Sequence, residues 1–142
     1  MTRVNIHKIQ PAAYDAMFGL EKYLGTTDIG PQLAELIKTR VSQINGCAYC
    51  IQMHTKIALD NGETAERLFA LSAWKESPLF SEKERAVLAL TEEVTLISEH
   101  GVSDRVYNRV GEHFSDEQIA QIIMAITTIN AWNRIAIAIQ MQ

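Results

Sequence analysis

The feature that most constrains the fold is a stretch near the C-terminus whose apolar residues cover nearly every face of a helix. It opens at Ser115-Asp116-Glu117-Gln118, where a serine and a glutamine three residues later form a capping-box pattern. Isoleucines and Trp132 then recur at helical spacing as far as Ile139. A helix that is hydrophobic all round belongs at the centre of a bundle or in a subunit interface. We expect both, and therefore a homo-oligomer.

Helical periodicity extends along nearly all 142 residues, and no segment alternates as a strand would. Proline, glycine and capping residues divide the chain into seven predicted helices. These helices span about 11–24, 31–45, 47–61, 63–74, 81–98, 103–113 and 115–139. The sequence therefore predicts an all-α bundle. We expect a single domain over residues 1–142, because a chain of this length leaves little room for a second one.

Composition and charge narrow the possible functions. Hydrophobic residues make up 47% of the chain and charged residues 21%, as in soluble globular proteins. The net charge is −4 and no basic cluster occurs in the sequence, so we expect neither nucleic acid nor an anionic membrane as a partner. No signal-peptide pattern is present. The longest uninterrupted apolar runs have about five residues, against the ~20 of a membrane span. We expect a cytoplasmic protein.

Cys47 and Cys50 are the only cysteines, and they are three positions apart near the predicted start of the third helix. In the cytoplasm such a pair is more often catalytic or metal-binding than structural. Unpaired amides and the helix dipole favour a thiolate there, and they lower the pKa of a thiol from ~8.5 to ~3.5–7.5. Positions i and i+3 of a helix place the α-carbons about 5–6 Å apart, which permits a disulfide.

His54 lies four residues after Cys50, where its imidazole can act as a base for that thiol. If the second and third helices form an antiparallel hairpin that turns near Gly46, Glu35 lies beside His54. Glu35, His54 and Cys50 would then stand in the order of a proton relay. Periodicity alone more often indicates a solvated glutamate at position 35. An ordinary core histidine is the alternative for His54.

Two further functions remain open from these residues alone. Cys47, Cys50 and His54 supply three possible zinc ligands, with Glu35, His100 or His113 as a fourth. The cysteine pair could instead be a non-catalytic thiol switch, whose disulfide changes the oligomer. Trp132 is placed either to line a pocket or to fill the core.

The segment from Glu35 to His54 resembles the core motif of the AhpD alkylhydroperoxidases, within the carboxymuconolactone decarboxylase-like superfamily. Glu35, Cys47, Cys50 and His54 carry the resemblance. The later segment Asn130-Ala131-Trp132-Asn133-Arg134 is also typical of single-domain members. The resemblance implies an AhpD-like helical bundle, with a helix-turn-helix that carries the CxxC motif, assembled as a trimer or hexamer.

The resemblance also implies a function in antioxidant defence. Cys50 would attack an organic hydroperoxide and become a sulfenic acid, Cys47 would close the disulfide, and His54 and Glu35 would activate Cys50. An external dithiol, of lipoyl type or on a peroxiredoxin-like partner, would regenerate the thiols without a cofactor or metal. Tyr49 replaces the family's second histidine and is a poor base, because a tyrosine titrates near pH 10. Decarboxylation is not favoured, because the decarboxylases of the superfamily lack the cysteine pair.

Overall fold

The computed structural model describes residues 3–142, and helices are its regular elements throughout that range. No strand occurs between residues 3 and 142, which confirms the predicted all-α class. A short 3₁₀ helix, Leu71–Ala73, follows the fifth α-helix. The α-helices are α1 (Ile6–Ile9), α2 (Pro11–Leu24), α3 (Pro31–Asn45), α4 (Ala48–Asp60), α5 (Ala65–Ala70), α6 (Glu82–Thr95), α7 (Ile97–His100), α8 (Asp104–Gly111) and α9 (Asp116–Ile139).

Local sequence signals set most of these helix boundaries. Ser81 and Ser115 form complete capping boxes at the starts of α6 and α9, as the sequence predicted. Gly46 ends α3 with a φ of 69°, a left-handed conformation that glycine adopts without a steric penalty. The predicted bounds of the helices over 11–24 and 31–45 are confirmed.

Other predicted boundaries were wrong. The four-residue helix α1 was not predicted, because one turn is too short to show a periodicity. The predicted helix over 63–74 is α5 followed by the 3₁₀ turn, because Thr64 caps the helix by accepting from the amide of Arg67. The predicted helix over 81–98 is divided at Leu96, whose backbone leaves the helical region. The helix predicted to reach His113 ends at Gly111.

α3 lies at the centre of the bundle, where α4, α6 and α9 pack against it. The main core joins apolar side chains of α3, α6, α8 and α9, and Ile122, Ile126 and Ile129 of α9 are fully buried in it. The prediction that the long apolar helix is central is therefore confirmed. Its place in a subunit interface stays a prediction.

Within residues 3–142, α9 is the one helix long and apolar enough to cross a membrane by length and composition. The longest apolar runs understate this, because one or two polar residues at a time interrupt an otherwise apolar segment. The core helix of a soluble protein passes the same test. α9 packs against α2, α3, α4, α6 and α8, which accounts for its composition within the fold.

A group of amide side chains fixes the end of α3 against α9. Asn45 donates through Nδ2 to the Oδ1 atoms of Asn130 and Asn133, each at 3.0 Å. Asn133 in turn donates through Nδ2 to Ser42 Oγ at 3.1 Å and is fully buried. These bonds hold the last turn of α3 in place, and the chain then turns through Gly46 directly into α4.

Candidate active site

The two cysteines lie at the first residues of α4 and are joined by a disulfide in the structure. Cys47 is the N-cap, and its Sγ accepts from the backbone amide of Cys50 at 3.4 Å. The sulfur thus occupies the position that a serine or aspartate oxygen takes in most helices. The two α-carbons are 5.3 Å apart. Each residue is only 2% exposed, so the disulfide is almost wholly shielded from solvent.

The predicted hairpin of α3 and α4 brings Glu35 beside His54. Glu35 Oε2 lies 2.8 Å from His54 Nδ1, and both side chains are buried. Glu35 is thus not the solvated glutamate that periodicity alone indicated. When Nδ1 is bonded to the carboxylate, Nε2 is the ring nitrogen that remains for a second partner. Cys50 lies one turn of α4 before His54.

These side chains line a cavity of about 410 Å³. Of the two cysteines, Cys50 lines this cavity. Cys47 is not among the lining residues, although it packs with Cys50, Ala136, Tyr49 and Met141 in one small cluster. The site is therefore asymmetric: a molecule that enters the cavity meets the sulfur of Cys50 first.

Aromatic rings form one wall of the cavity. The ring centroids of Tyr14 and Phe18 each lie 5.5 Å from that of Trp132. The Tyr14 and Phe18 centroids are 6.0 Å apart. Trp132 both lines the cavity and packs on the main core, so the two alternatives from the sequence hold together. Such a wall suits an apolar molecule.

Two charged residues of the cavity, Lys38 and Glu21, were not identified from the sequence. Lys38 Nζ donates to Glu21 Oε2 at 3.1 Å and lies 3.8 Å from Glu35 Oε1. Glu21 Oε1 accepts from Trp132 Nε1 at 3.1 Å. Lys38 could have been found, because it follows Glu35 by three residues and so shares its face of α3. Glu21 gave no local signal, since only the tertiary fold brings α2 to this place.

The histidines considered as further zinc ligands do not join the site. Neither His100 nor His113 is among the residues that line the Cys50 cavity. His100 lines a separate cavity of about 590 Å³, between charged side chains of α6 and α8. Across residues 3–142, no three His, Cys, Asp or Glu side chains are grouped so as to hold a metal ion.

The all-helical bundle carries a CxxC pair at the start of a helix. These features define the class of protein, which is the AhpD-like fold. Residues 11–93 match the model of the Carboxymuconolactone decarboxylase family. The chain belongs to this family, and within it to the AhpD-like members that the sequence motif indicated.

Similar proteins cover nearly the whole chain. The uncharacterized protein YdfG of Bacillus subtilis (strain 168) is 46% identical over 136 residues, which are 96% of this chain and 92% of YdfG. A crystal structure from Agrobacterium tumefaciens is 41% identical, with a TM-score of 0.96, and covers 100% of this chain and 97% of that one. That protein is of unknown function and has been suggested to be the antioxidant defence protein AhpD.

More distant structures share the fold alone. The debrominase Bmp8 is 23% identical, with a TM-score of 0.81 over 95% of this chain and 73% of its own. A peroxidase-related protein from Ralstonia eutropha JMP134 is 22% identical, with a TM-score of 0.84 over 96% of this chain and 73% of its own. The fold therefore includes enzymes and peroxidase-related proteins.

Proposed function

We propose that this protein is a thiol-dependent hydroperoxidase of antioxidant defence, which reduces organic hydroperoxides with the Cys47–Cys50 dithiol. One observation carries the proposal: Cys50 lines a largely apolar cavity, and His54, one helical turn further along α4, forms a buried pair with Glu35 in the same cavity. The relatives support it, since a protein 41% identical has itself been suggested to be AhpD.

The first step breaks the peroxide bond. Neutral His54 takes the proton of the Cys50 thiol, and the thiolate attacks the terminal oxygen of the hydroperoxide. The O–O bond breaks, the alkoxide leaves and takes a proton to become an alcohol, and Cys50 becomes a sulfenic acid. Glu35 orients the imidazole through Nδ1 and stabilises the imidazolium while it holds the proton.

The second step forms the disulfide that the structure contains. The Cys47 thiol attacks the sulfenic sulfur, an S–S bond forms, and water leaves. A dithiol from outside then reduces the disulfide through a mixed disulfide and is itself oxidised. Because Cys50 is the sulfur at the cavity, we propose that this dithiol attacks Cys50 first. A lipoyl-type group or a peroxiredoxin-like partner has the required chemistry.

The test is steady-state consumption of organic hydroperoxide in the presence of several dithiols. We expect wild type to turn over many times and Cys50→Ser to lose turnover. In the absence of a dithiol, Cys47→Ser keeps the attacking thiol and therefore consumes about one equivalent in a single rapid phase, ending as the sulfenic acid. If wild type stops after one equivalent even with dithiol present and its oligomeric state then changes, the protein is a thiol switch and the proposal is wrong.

We further propose a single-domain, cytoplasmic homo-oligomer of trimer or hexamer type. Apolar side chains on the surface support assembly, since Phe69 is 84% exposed, Ile97 58% and Ile137 45%. The cytoplasm keeps thiols reduced and so supplies the reducing equivalents that the cycle consumes. Sedimentation of the wild-type protein tests the assembly, and a single species with the mass of one chain would contradict it.

A further inference from the structure

Lys38 is a buried cation next to the proposed relay. It is 8% exposed, although lysine is almost never buried without a partner. Its ammonium lies between two carboxylates, Glu21 at 3.1 Å and Glu35 at 3.8 Å. A buried charge that lost both partners would be strongly unfavourable. Lys38 thus links the carboxylate of Glu21 on α2 to that of Glu35 on α3 at the cavity.

The two oxygens of Glu35 have different partners. Oε2 bonds to His54 Nδ1 at 2.8 Å, whereas Oε1 faces Lys38 at 3.8 Å. Glu21 is held in the same way, by Lys38 through Oε2 and by Trp132 Nε1 through Oε1. A continuous row of contacts therefore runs from Trp132 on α9, through Glu21 and Lys38, to Glu35 and His54.

We propose that Lys38 is a positioning residue for the thiol chemistry, held by Glu21, which balances the negative charge of Glu35 and so allows His54 to be neutral. A carboxylate alone favours the imidazolium, which has no free electron pair with which to accept the Cys50 proton. The ammonium opposes that effect from the far side of the carboxylate. This inference rests on the proposed function, in which His54 is the base.

The titratable groups around His54 define what the variants should do. Those that line the cavity are Tyr14 and Glu21 on α2, Glu35 and Lys38 on α3, and Tyr49 and Cys50 on α4 itself, whereas the α9 residues Trp132 and Ala136 carry none. Apart from His54 itself, Lys38 is the basic side chain among these lining residues. Removing its charge leaves two carboxylates to favour the imidazolium, whereas removing the charge of Glu21 does the opposite.

The experiment measures kcat/KM for an organic hydroperoxide against pH in wild type, Lys38→Met, Lys38→Arg and Glu21→Gln. The acidic limb of the profile reports the loss of the base in the free enzyme. We expect Lys38→Met to move this limb upward by about one pH unit, the size of a lost neighbouring charge, and Lys38→Arg to restore most of it. Glu21→Gln keeps an oxygen for Trp132 and should move the limb downward.

Lys56→Met is the matched control, because it removes the same charge from an exposed site on α4. It should leave the limb in place. A role of Lys38 in folding alone would lower the rate equally at every pH, so an unshifted limb in Lys38→Met overturns the inference. If Lys38→Met does not fold, Glu21→Gln decides alone: no shift, or an upward shift, overturns the inference.

Failure of the proposed function is visible separately. If wild type does not turn over hydroperoxide, the same variants are compared by the pH dependence of Cys50 alkylation with iodoacetamide in the reduced protein. The limb of the alkylation profile that depends on His54 should move in the same directions as the acidic limb of kcat/KM. If hydroperoxide is not turned over but the shifts occur, only the hydroperoxidase proposal is contradicted. If hydroperoxide is turned over but the shifts do not occur, only the role of Lys38 is contradicted.

Discussion

At the scale of single residues, the candidate site is defined by the surroundings of its groups as well as by their identity. The sequence motif identified Cys47, Cys50, His54 and Glu35, and the structure brings them together. Their environment could not be read from the motif. Lys38 shares the face of α3 that carries Glu35, whereas Glu21 is an ordinary charged residue in the sequence that only the packing of α2 against α9 makes part of the cavity. Charges that act on a site across helices leave no periodic signal.

The first prediction concerns the contact between Glu35 and His54. Glu35→Gln keeps the size of the side chain and an oxygen near His54 Nδ1, but it removes the charge that stabilises the imidazolium. We expect kcat/KM for hydroperoxide to fall about 10²-fold, within the range that positioned acid–base catalysis contributes. Steady-state assays check this. Glu66→Gln, at an exposed position of α5, is the control. Equal rates for the two variants would mean that the carboxylate does not act through His54.

At the scale of elements, capping residues and glycines set most helix ends, and the sequence shows them. The ends at Ser81, Ser115, Pro31 and Gly46 were predicted because each depends on a local backbone requirement. The break at Leu96 was missed, because neither a proline nor a glycine marks it. Local signals therefore predict the ends that capping residues, proline or glycine impose, but not a break such as the one at Leu96.

The second prediction tests the amide contacts that hold the end of α3 against α9. Asn133→Ala leaves Asn45, which is partly buried, with one fewer acceptor, and it leaves the buried Ser42 Oγ without its amide donor. We expect the free energy of unfolding to fall by about 1–3 kcal/mol, the cost of an unsatisfied buried polar group. Urea unfolding measures it. Asn108→Ala, at an exposed position of α8, should change stability by less than about 0.5 kcal/mol. Similar losses in both variants would contradict the role of the network.

At the scale of the whole molecule, ion pairs join helices outside the cavity. Glu92 of α6 accepts from Trp74 Nε1 at 2.8 Å and forms ion pairs with Arg40 of α3 and with Lys75, each at 3.1 Å. Burial acts to raise the pKa of Glu92, but these three donors outweigh it and hold the pKa below its ordinary value. Glu92 thus joins α3, α6 and the segment after the 3₁₀ turn through its charged form.

The third prediction follows from the sign of that shift. A carboxyl whose pKa is lower in the folded than in the unfolded state stabilises the fold fully above its unfolded pKa of about 4.3, and this stabilisation is lost as the pH falls through the folded value. Glu92→Gln should therefore be less stable than wild type by about 1–3 kcal/mol at pH 7. The two proteins should converge as the pH falls below the unfolded pKa and through the lower folded pKa. Urea unfolding at several pH values checks this.

Glu99→Gln, at an exposed position of α7, is the control and should follow wild type at every pH. A stability difference between wild type and Glu92→Gln that stays constant from pH 7 to pH 3 would contradict the prediction. In that case Glu92 would contribute to the free energy of unfolding through its shape and not through its charge.

The junction of α3 and α4 consists of Gly46 and Cys47 alone, and this brevity has a geometric consequence. Successive residues of an α-helix are rotated by about 100° around the helix axis. One residue added at the junction would rotate the face of α4 that carries Cys50 and His54 away from Glu35. The number of residues between Glu35 and His54 thus sets the angle at which these two side chains face each other.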